Sequence, residues 1–233
     1  MKIIKLIPLI CCLLILISCS SDDDGNARTG FFPNEIVLTT NADGTSNTTS
    51  FTYNTNNQIA EANFGGQIVT FSYNEQGLIN EFNVGSAAES YSIQYSGSTV
   101  VSFTNLDTND VIPVSYTDGT YDFDGSTFTL DANNRFISGS GTLAVTYNEE
   151  EGPFTEVAFQ PVLFFIGAGA VARISYFFSV NEVNSFTIPL GGELTCTTTR
   201  NSDGNISSVA ARSGDGTLIY TYTMSYEQRT INN

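Results

Sequence analysis

From about residue 35 onward, apolar and polar side chains alternate along the chain. A period of two marks a β-strand with one buried face, because successive side chains leave opposite sides of the backbone. Clear examples are Phe51/Tyr53, Val69/Phe71/Tyr73, Tyr91/Ile93/Tyr95, Val101/Phe103, Ile112/Val114/Tyr116, Tyr121/Phe123, Phe128/Leu130 and Leu143/Val145/Tyr147. Between these runs lie short clusters of Asn, Asp, Gly and Ser, such as 54–57, 74–77, 96–98, 117–119, 124–125, 132–134, 201–204 and 214–216. These residues suit tight hairpin loops because Gly, Asn and Asp tolerate positive φ. The pattern predicts an all-β, antiparallel up-and-down meander of roughly fourteen to sixteen strands. It would form a wide barrel or a strongly curved sheet.

The hairpins repeat. Tyr53, Tyr73, Tyr95 and Tyr116 are spaced by 20, 22 and 21 residues, room for two strands and two turns. The best copies are Phe51-Thr-Tyr53-Asn54-Thr-Asn-Asn57-Gln-Ile59 and Phe71-Ser-Tyr73-Asn74-Glu-Gln-Gly77-Leu-Ile79; Phe128 to Phe136 is a third, and Val145-Thr-Tyr147-Asn148 opens a fourth. One segment breaks the alternation: Val162 to Ala172 is continuously apolar, with Pro161 before it and Arg173 after it. It is too short to cross a bilayer as a helix, which takes about 20 residues. The expectation is a short helical insert near 158–172, inside or across the mouth of the curved sheet. A central strand and a membrane-dipping loop are the other arrangements such a run allows.

The N-terminus has the layout of an export signal: Lys2 and Lys5, then an apolar stretch from Leu6 to Ile17. Its end, Leu16-Ile17-Ser18-Cys19, resembles a bacterial lipobox. That resemblance implies cleavage before Cys19, a diacylglyceryl thioether and an N-acyl (palmitate-type) chain on that residue, and stable anchoring through several chains together. Cys11 and Cys12 do not fit, since no small residue precedes them. The acidic run Asp22-Asp23-Asp24 after Cys19 is a solvated tether, and in lipoproteins of this kind it directs export to the cell surface. Ser20 at the position after the cysteine argues against retention at the inner membrane. The chain thus divides into a signal peptide (1–18), a lipidated, acidic tether (19–34) and one β-meander domain (35–233), with the periplasmic leaflet as the alternative placement.

Composition narrows the chemistry. There is no His and no Trp, and beyond Lys5 the chain carries 24 acidic residues against six arginines. Without histidine there is no imidazole base, no Ser-His or Cys-His nucleophile pair and no ordinary zinc, copper or haem site. So acidic a chain is no partner for nucleic acid, whose binding rests on Lys and Arg. No cofactor is expected. After processing, Cys19 and Cys196 remain, so the domain carries no internal disulfide; Cys196, in a strand-like Leu194-Thr-Cys196-Thr, reads as a small buried hydrophobe.

Three stretches invite a sharper reading. Thr120 to Asp131 has the length of a calcium loop, but Thr opens it and Asp closes it, and a hairpin turning at Asp124-Gly125 accounts for every residue. Glu149-Glu150-Glu151 could serve glycoside hydrolysis, yet adjacent acids before Gly152-Pro153 make a solvated turn and do not face each other across a cleft. The many Tyr and Phe residues could stack on sugars, but core and cross-strand packing uses them as well.

Together the lipobox, the aromatic-x-Tyr-Asn hairpins, the Gly152-Pro153-Phe154 lead into the apolar stretch, Phe178-Ser-Val-Asn181 and the closing Asn201-to-Ile206 and Leu218-to-Tyr222 hairpins have a family look. They resemble outer-membrane lipoproteins that carry tyrosine-aspartate (YD, Rhs-like) hairpin repeats and a porin-like domain of unknown function. The resemblance implies a β-barrel, membrane attachment by lipid alone and no catalytic residue. The expected role is a non-catalytic surface lipoprotein that binds an external polymer or protein or acts as an envelope scaffold. The alternative is a carrier facing the periplasm with an apolar ligand in the barrel, and a carboxylate-based glycosidase is a third class. Whether Val162 to Ala172 fills the interior separates the first two.

Overall fold

The computed structural model describes residues 27–85, 87–140, 143–158, 162–167, 172–189 and 191–231. Sixteen strands follow one another: β1 (Arg28–Thr40), β2 (Ser46–Tyr53), β3 (Ile59–Phe64), β4 (Gln67–Tyr73), β5 (Ile79–Val84), β6 (Glu89–Ser96), β7 (Thr99–Asn105) and β8 (Val111–Thr117) in the first half. The second half holds β9 (Thr120–Phe123), β10 (Ser126–Leu130), β11 (Phe136–Gly139), β12 (Val145–Glu151), β13 (Asn181–Ile188), β14 (Gly192–Arg200), β15 (Ile206–Arg212) and β16 (Leu218–Ile231). Two short helices, α1 (Val162–Gly167) and α2 (Ala172–Ser175), lie between β12 and β13. All strands join one antiparallel sheet in which chain neighbours pair, β1 pairs with β16, and β11 and β12 are the edges. The sheet curls into a nearly closed barrel, as the alternation predicts.

One boundary moves. Residues 28–34, expected in the tether, belong to β1 and pair with β16 from Arg28↔Ile231 onward. Gly30 and Pro33 disguise this strand in the sequence: Pro33 sits at a register shift, the kind of position where a strand accepts proline.

The barrel is apolar inside and polar outside. Inward positions such as Val69/Phe71, Leu194 and Tyr220/Tyr222/Met224 are buried. Their neighbours Thr70/Ser72, Thr195/Thr197/Thr199 and Thr221/Thr223/Ser225 face outward. A membrane-spanning barrel has the opposite polarity, with an apolar belt toward lipid and a polar lumen. Here the exposed large apolar side chains among the described residues are Ile68, Leu106, Val111 and Tyr116, which form no belt. No helix among the described residues is long and apolar enough to cross a membrane either.

The hairpin repeat has a physical basis. Tyr53 donates its hydroxyl to the Pro33 carbonyl at 2.7 Å, Tyr73 to Ile59 at 2.7 Å, Tyr95 to Ile79 at 2.6 Å and Tyr147 to Phe136 at 2.9 Å. Each acceptor lies at a register shift. A bulge interrupts the ladder and frees a carbonyl; the tyrosine of a later strand satisfies it and ties one hairpin to another. The loops repeat as well. Asn54 Oδ1 accepts from the amides of Asn56 and Gln58, and Asn74, Asp131 and Asn201 do the same two and four residues on. Only an acceptor oxygen is needed there, so Asn and Asp are equivalent. The following position has positive φ in each copy, at Asn57 (60°), Gly77 (76°), Asn134 (60°) and Gly204 (85°).

The insert between β12 and β13 occupies the interior. Its ends are pinned together by Gly152 N–H to the Val180 carbonyl (2.8 Å) and Phe154 N–H to Ser179 (3.1 Å). Phe154, Val157, Val162, Leu163, Phe164, Ile174, Tyr176, Phe177 and Phe178 are all buried. The expected helix forms as α1 and α2; residues 168–171 lie outside the described residues. Phe154 and Phe178 contact Phe51 at 5.4 and 5.7 Å, Phe165 contacts Phe103, Phe123 and Phe128 at 5.0, 5.4 and 4.7 Å, and Phe177 contacts Tyr222 at 4.3 Å between ring centres. The insert therefore touches the wall on several sides, each aromatic pair adding about 0.5–1.5 kcal/mol beyond its burial.

Removing one link of the tyrosine ladder tests it. Tyr73→Phe leaves the Ile59 carbonyl without its donor and is expected to cost about 1–2 kcal/mol in urea unfolding. The ladder tyrosines, with Tyr226, also set a pH response. Burial above all raises the phenol pKa of Tyr53, Tyr73, Tyr95, Tyr147 and Tyr226 above the ordinary 10.0. The unfolded chain gives up these protons near that value and the folded chain holds them to higher pH, so their contribution is intact below it and declines as pH rises beyond it. Tyrosinate absorbance and loss of the β-sheet circular dichroism signal are expected to appear together in one alkaline transition.

Candidate binding sites at the two rims of the barrel

Strand direction sorts the loops into two rims. Arg28 and Ile231 share one end with the loops 54–58, 74–78, 131–135 and 201–205. The loops 41–45, 65–66, 85–88, 106–110, 124–125 and 213–217 form the far rim.

Four arginines gather at the terminal rim, each engaged by the fold. Arg135 pairs with Asp131 at 2.5 Å, donates to Asn181 Oδ1 at 3.0 Å and lies 5.2 Å from the Tyr147 ring centre. With the Tyr147 bond to Phe136 it bridges the two sheet edges, where the described ladder is an isolated Ser138↔Ala144 bridge. Arg200 pairs with Glu182 at 2.6 Å and donates to the carbonyls of Gly204 and Glu151, both at 2.8 Å. Arg229 holds Glu227, Asn57 and the Asn54 carbonyl, and Arg28 pairs with Glu156.

A polar crevice of about 180 Å³ lies on this rim among Phe31, Glu151, Glu156, Arg200, Asp203 and Tyr226. It contains three carboxylates, but Glu156 is held by Arg28, and Glu151 and Asp203 are exposed. Gly152, beside them, is sterically fixed: a Cβ there would lie 2.5 Å from the Ser179 carbonyl oxygen and against that of Asn181.

The far rim differs in chemistry. An apolar cavity of about 220 Å³ is lined by Phe82, Val84, Ala87, Tyr91, Phe103, Ile112, Phe123 and Phe165, with Gln67 and Glu89 as its polar members. A second, of about 150 Å³, lies between β10, β11 and the helices, beside Phe128, Phe136, Phe164 and Tyr176.

The stretches singled out in the sequence resolve as follows. Thr120 to Asp131 is the β9–β10 hairpin, with Tyr121 stacked on Phe128 at 5.1 Å, φ of 48° and 77° at Asp124 and Gly125, and Asp131 engaged by Arg135. Glu149 to Glu151 end β12 as exposed residues. Cys196 packs against the core, and burial, with Glu182 nearby, pushes its thiol up to about 12. Most aromatics pack the interior. Cys19 and residues 1–26 lie outside the described residues. The far-rim cavity was missed by sequence reading. Its signal there is weak, since Phe82, Phe103, Phe123 and Phe165 look like any other core position.

No protein-family model matches the chain, and no curated protein matches it. Among solved structures it is similar to a porin-like protein from Bacteroides uniformis, at 16% identity over 84% of this chain and 98% of that one, with a TM-score of 0.39. It is also similar to a porin-like protein from Bacteroides vulgatus, at 12% identity over 85% and 99% of the two chains, with a TM-score of 0.37.

Proposed function

We propose that this chain is a lipid-anchored protein of the bacterial outer membrane, displayed at the cell surface, whose barrel is a non-catalytic binding or scaffold unit. The observation that carries the reading is the polar outer wall around a filled apolar interior. Such a wall is at home in water and not in lipid, so attachment to a membrane has to come from elsewhere. The lipobox ending at Cys19 supplies it, eight residues before Ala27. β1 starts at the terminal rim, so a tether from Cys19 joins the barrel at the end opposite the far rim.

Against the carrier alternative, the apolar rim cavities among the described residues measure about 150 and 220 Å³, below the roughly 300–1,000 Å³ of ordinary ligand pockets. Protease treatment of intact cells tests the display. With wild-type Cys19 the chain is expected to take up labelled fatty acid and to be lost on shaving, whereas Cys19→Ala takes up no label. Protection until the outer membrane is opened would place the barrel on the periplasmic leaflet instead, and unlabelled wild-type protein would contradict the anchor.

A further inference from the structure

We propose that the aromatic cavity at the far rim binds a small, free organic cation of the alkylammonium type. Three of its rings pack edge-to-face on one another. Phe103 and Phe123 meet at 5.3 Å and 79°, Phe103 and Phe165 at 5.0 Å and 66°, and Phe123 and Phe165 at 5.4 Å and 79°. A guest in the cavity is bounded by the rings of Phe82, Tyr91, Phe103, Phe123 and Phe165, and aromatic faces carry the negative part of the quadrupole. The stacked Phe82–Tyr91 pair, 5.0 Å apart, adds another aromatic wall. Tyr91, Phe123 and Phe165 are only half-buried, so their rings are reachable from solvent.

Charge selects the guest. Glu89 lines the cavity and accepts the Tyr91 hydroxyl at 2.7 Å, and Asp107 accepts from the Ser90 amide at 3.3 Å beside it. The loops of this rim also carry Asp43, Asp110, Asp124 and Asp215; among the described side chains the cation at this end is Arg212, which donates to Gly216. Glu89 and Asp107 place negative charge at the mouth of the cavity, which attracts cations. The same acids disfavour a zwitterion such as phosphocholine, whose phosphate would sit among them. About 220 Å³ admits a compact headgroup and no acyl chain. The inference rests on the barrel being a binding unit and is independent of the lipid anchor.

Calorimetry and ligand-observed NMR on the full chain in non-ionic detergent test it, using choline, phosphocholine and the uncharged carbon analogue of choline with a tert-butyl group in place of trimethylammonium. Choline is expected to bind about tenfold more tightly than the uncharged analogue and more tightly than phosphocholine. Glu89→Gln, an exposed change that leaves the core alone, is expected to weaken choline about three- to tenfold. Phe123→Leu, with its unfolding midpoint checked, should weaken it further; if that variant does not fold, Glu89→Gln carries the test. No choline binding, equal binding of the uncharged analogue, phosphocholine binding as tightly as choline, or choline binding unaffected by Glu89→Gln would each overturn the proposal. Fatty-acid labelling at Cys19 is read separately, so failure here is distinguishable from failure of the anchor.

Discussion

A sixteen-stranded barrel is wide enough to hold an aqueous channel, yet every strand of this one turns apolar side chains inward. Those side chains have to be covered, and neither water nor the opposite wall can do it. The chain covers them with its own 152–180 segment, which is rich in phenylalanine because an aromatic ring buries about 150–250 Å². Phe154 and Phe178 serve the β2–β3 side, Phe164 and Phe165 the β7–β11 side, and Tyr176 and Phe177 the β13 and β16 side. The segment leaves the wall at β12, one of the sheet's two edges, so the element that fills the barrel emerges where its ladder is weakest.

Curvature follows from the repeated hairpin. Bulges at Ile59, Ile79 and Phe136 bend the sheet near the terminal rim, and the tyrosine hydroxyls of neighbouring strands lock the bends. A one-residue register slip would turn each tyrosine outward and leave the freed carbonyl buried without a donor. The ladder thereby fixes register as well as curvature. At the edges the same device changes partners: Tyr147 reaches across to Phe136, with Arg135 above its ring.

The alternation of apolar and polar residues made the sheet legible, because a half-buried strand has no other way to write its two faces. The apolar insert was legible as an interruption, and its length separated it from a membrane span. The start of β1 was not, because Pro33 and Gly30 look like linker until their bulge is seen. Nor was the far-rim cavity: Phe103, Phe123 and Phe165 come from distant parts of the chain, and no local pattern reveals that they meet. By contrast, the hairpin reading of Thr120 to Asp131 needed only the Asp-Gly turn.

Hydrogen exchange resolved by strand, compared between the native chain and Phe178→Ala, tests the claim that the insert holds the wall. A buried phenylalanine cut to alanine costs about 3–5 kcal/mol. If the barrel is shaped around its filling, protection falls in β2 and β3, which Phe178 contacts through Phe51 and Phe64, and also in β10 to β13 across the seam. Loss of protection confined to the insert, with every strand exchanging as before, would show a wall that stands without its filling and would contradict the account.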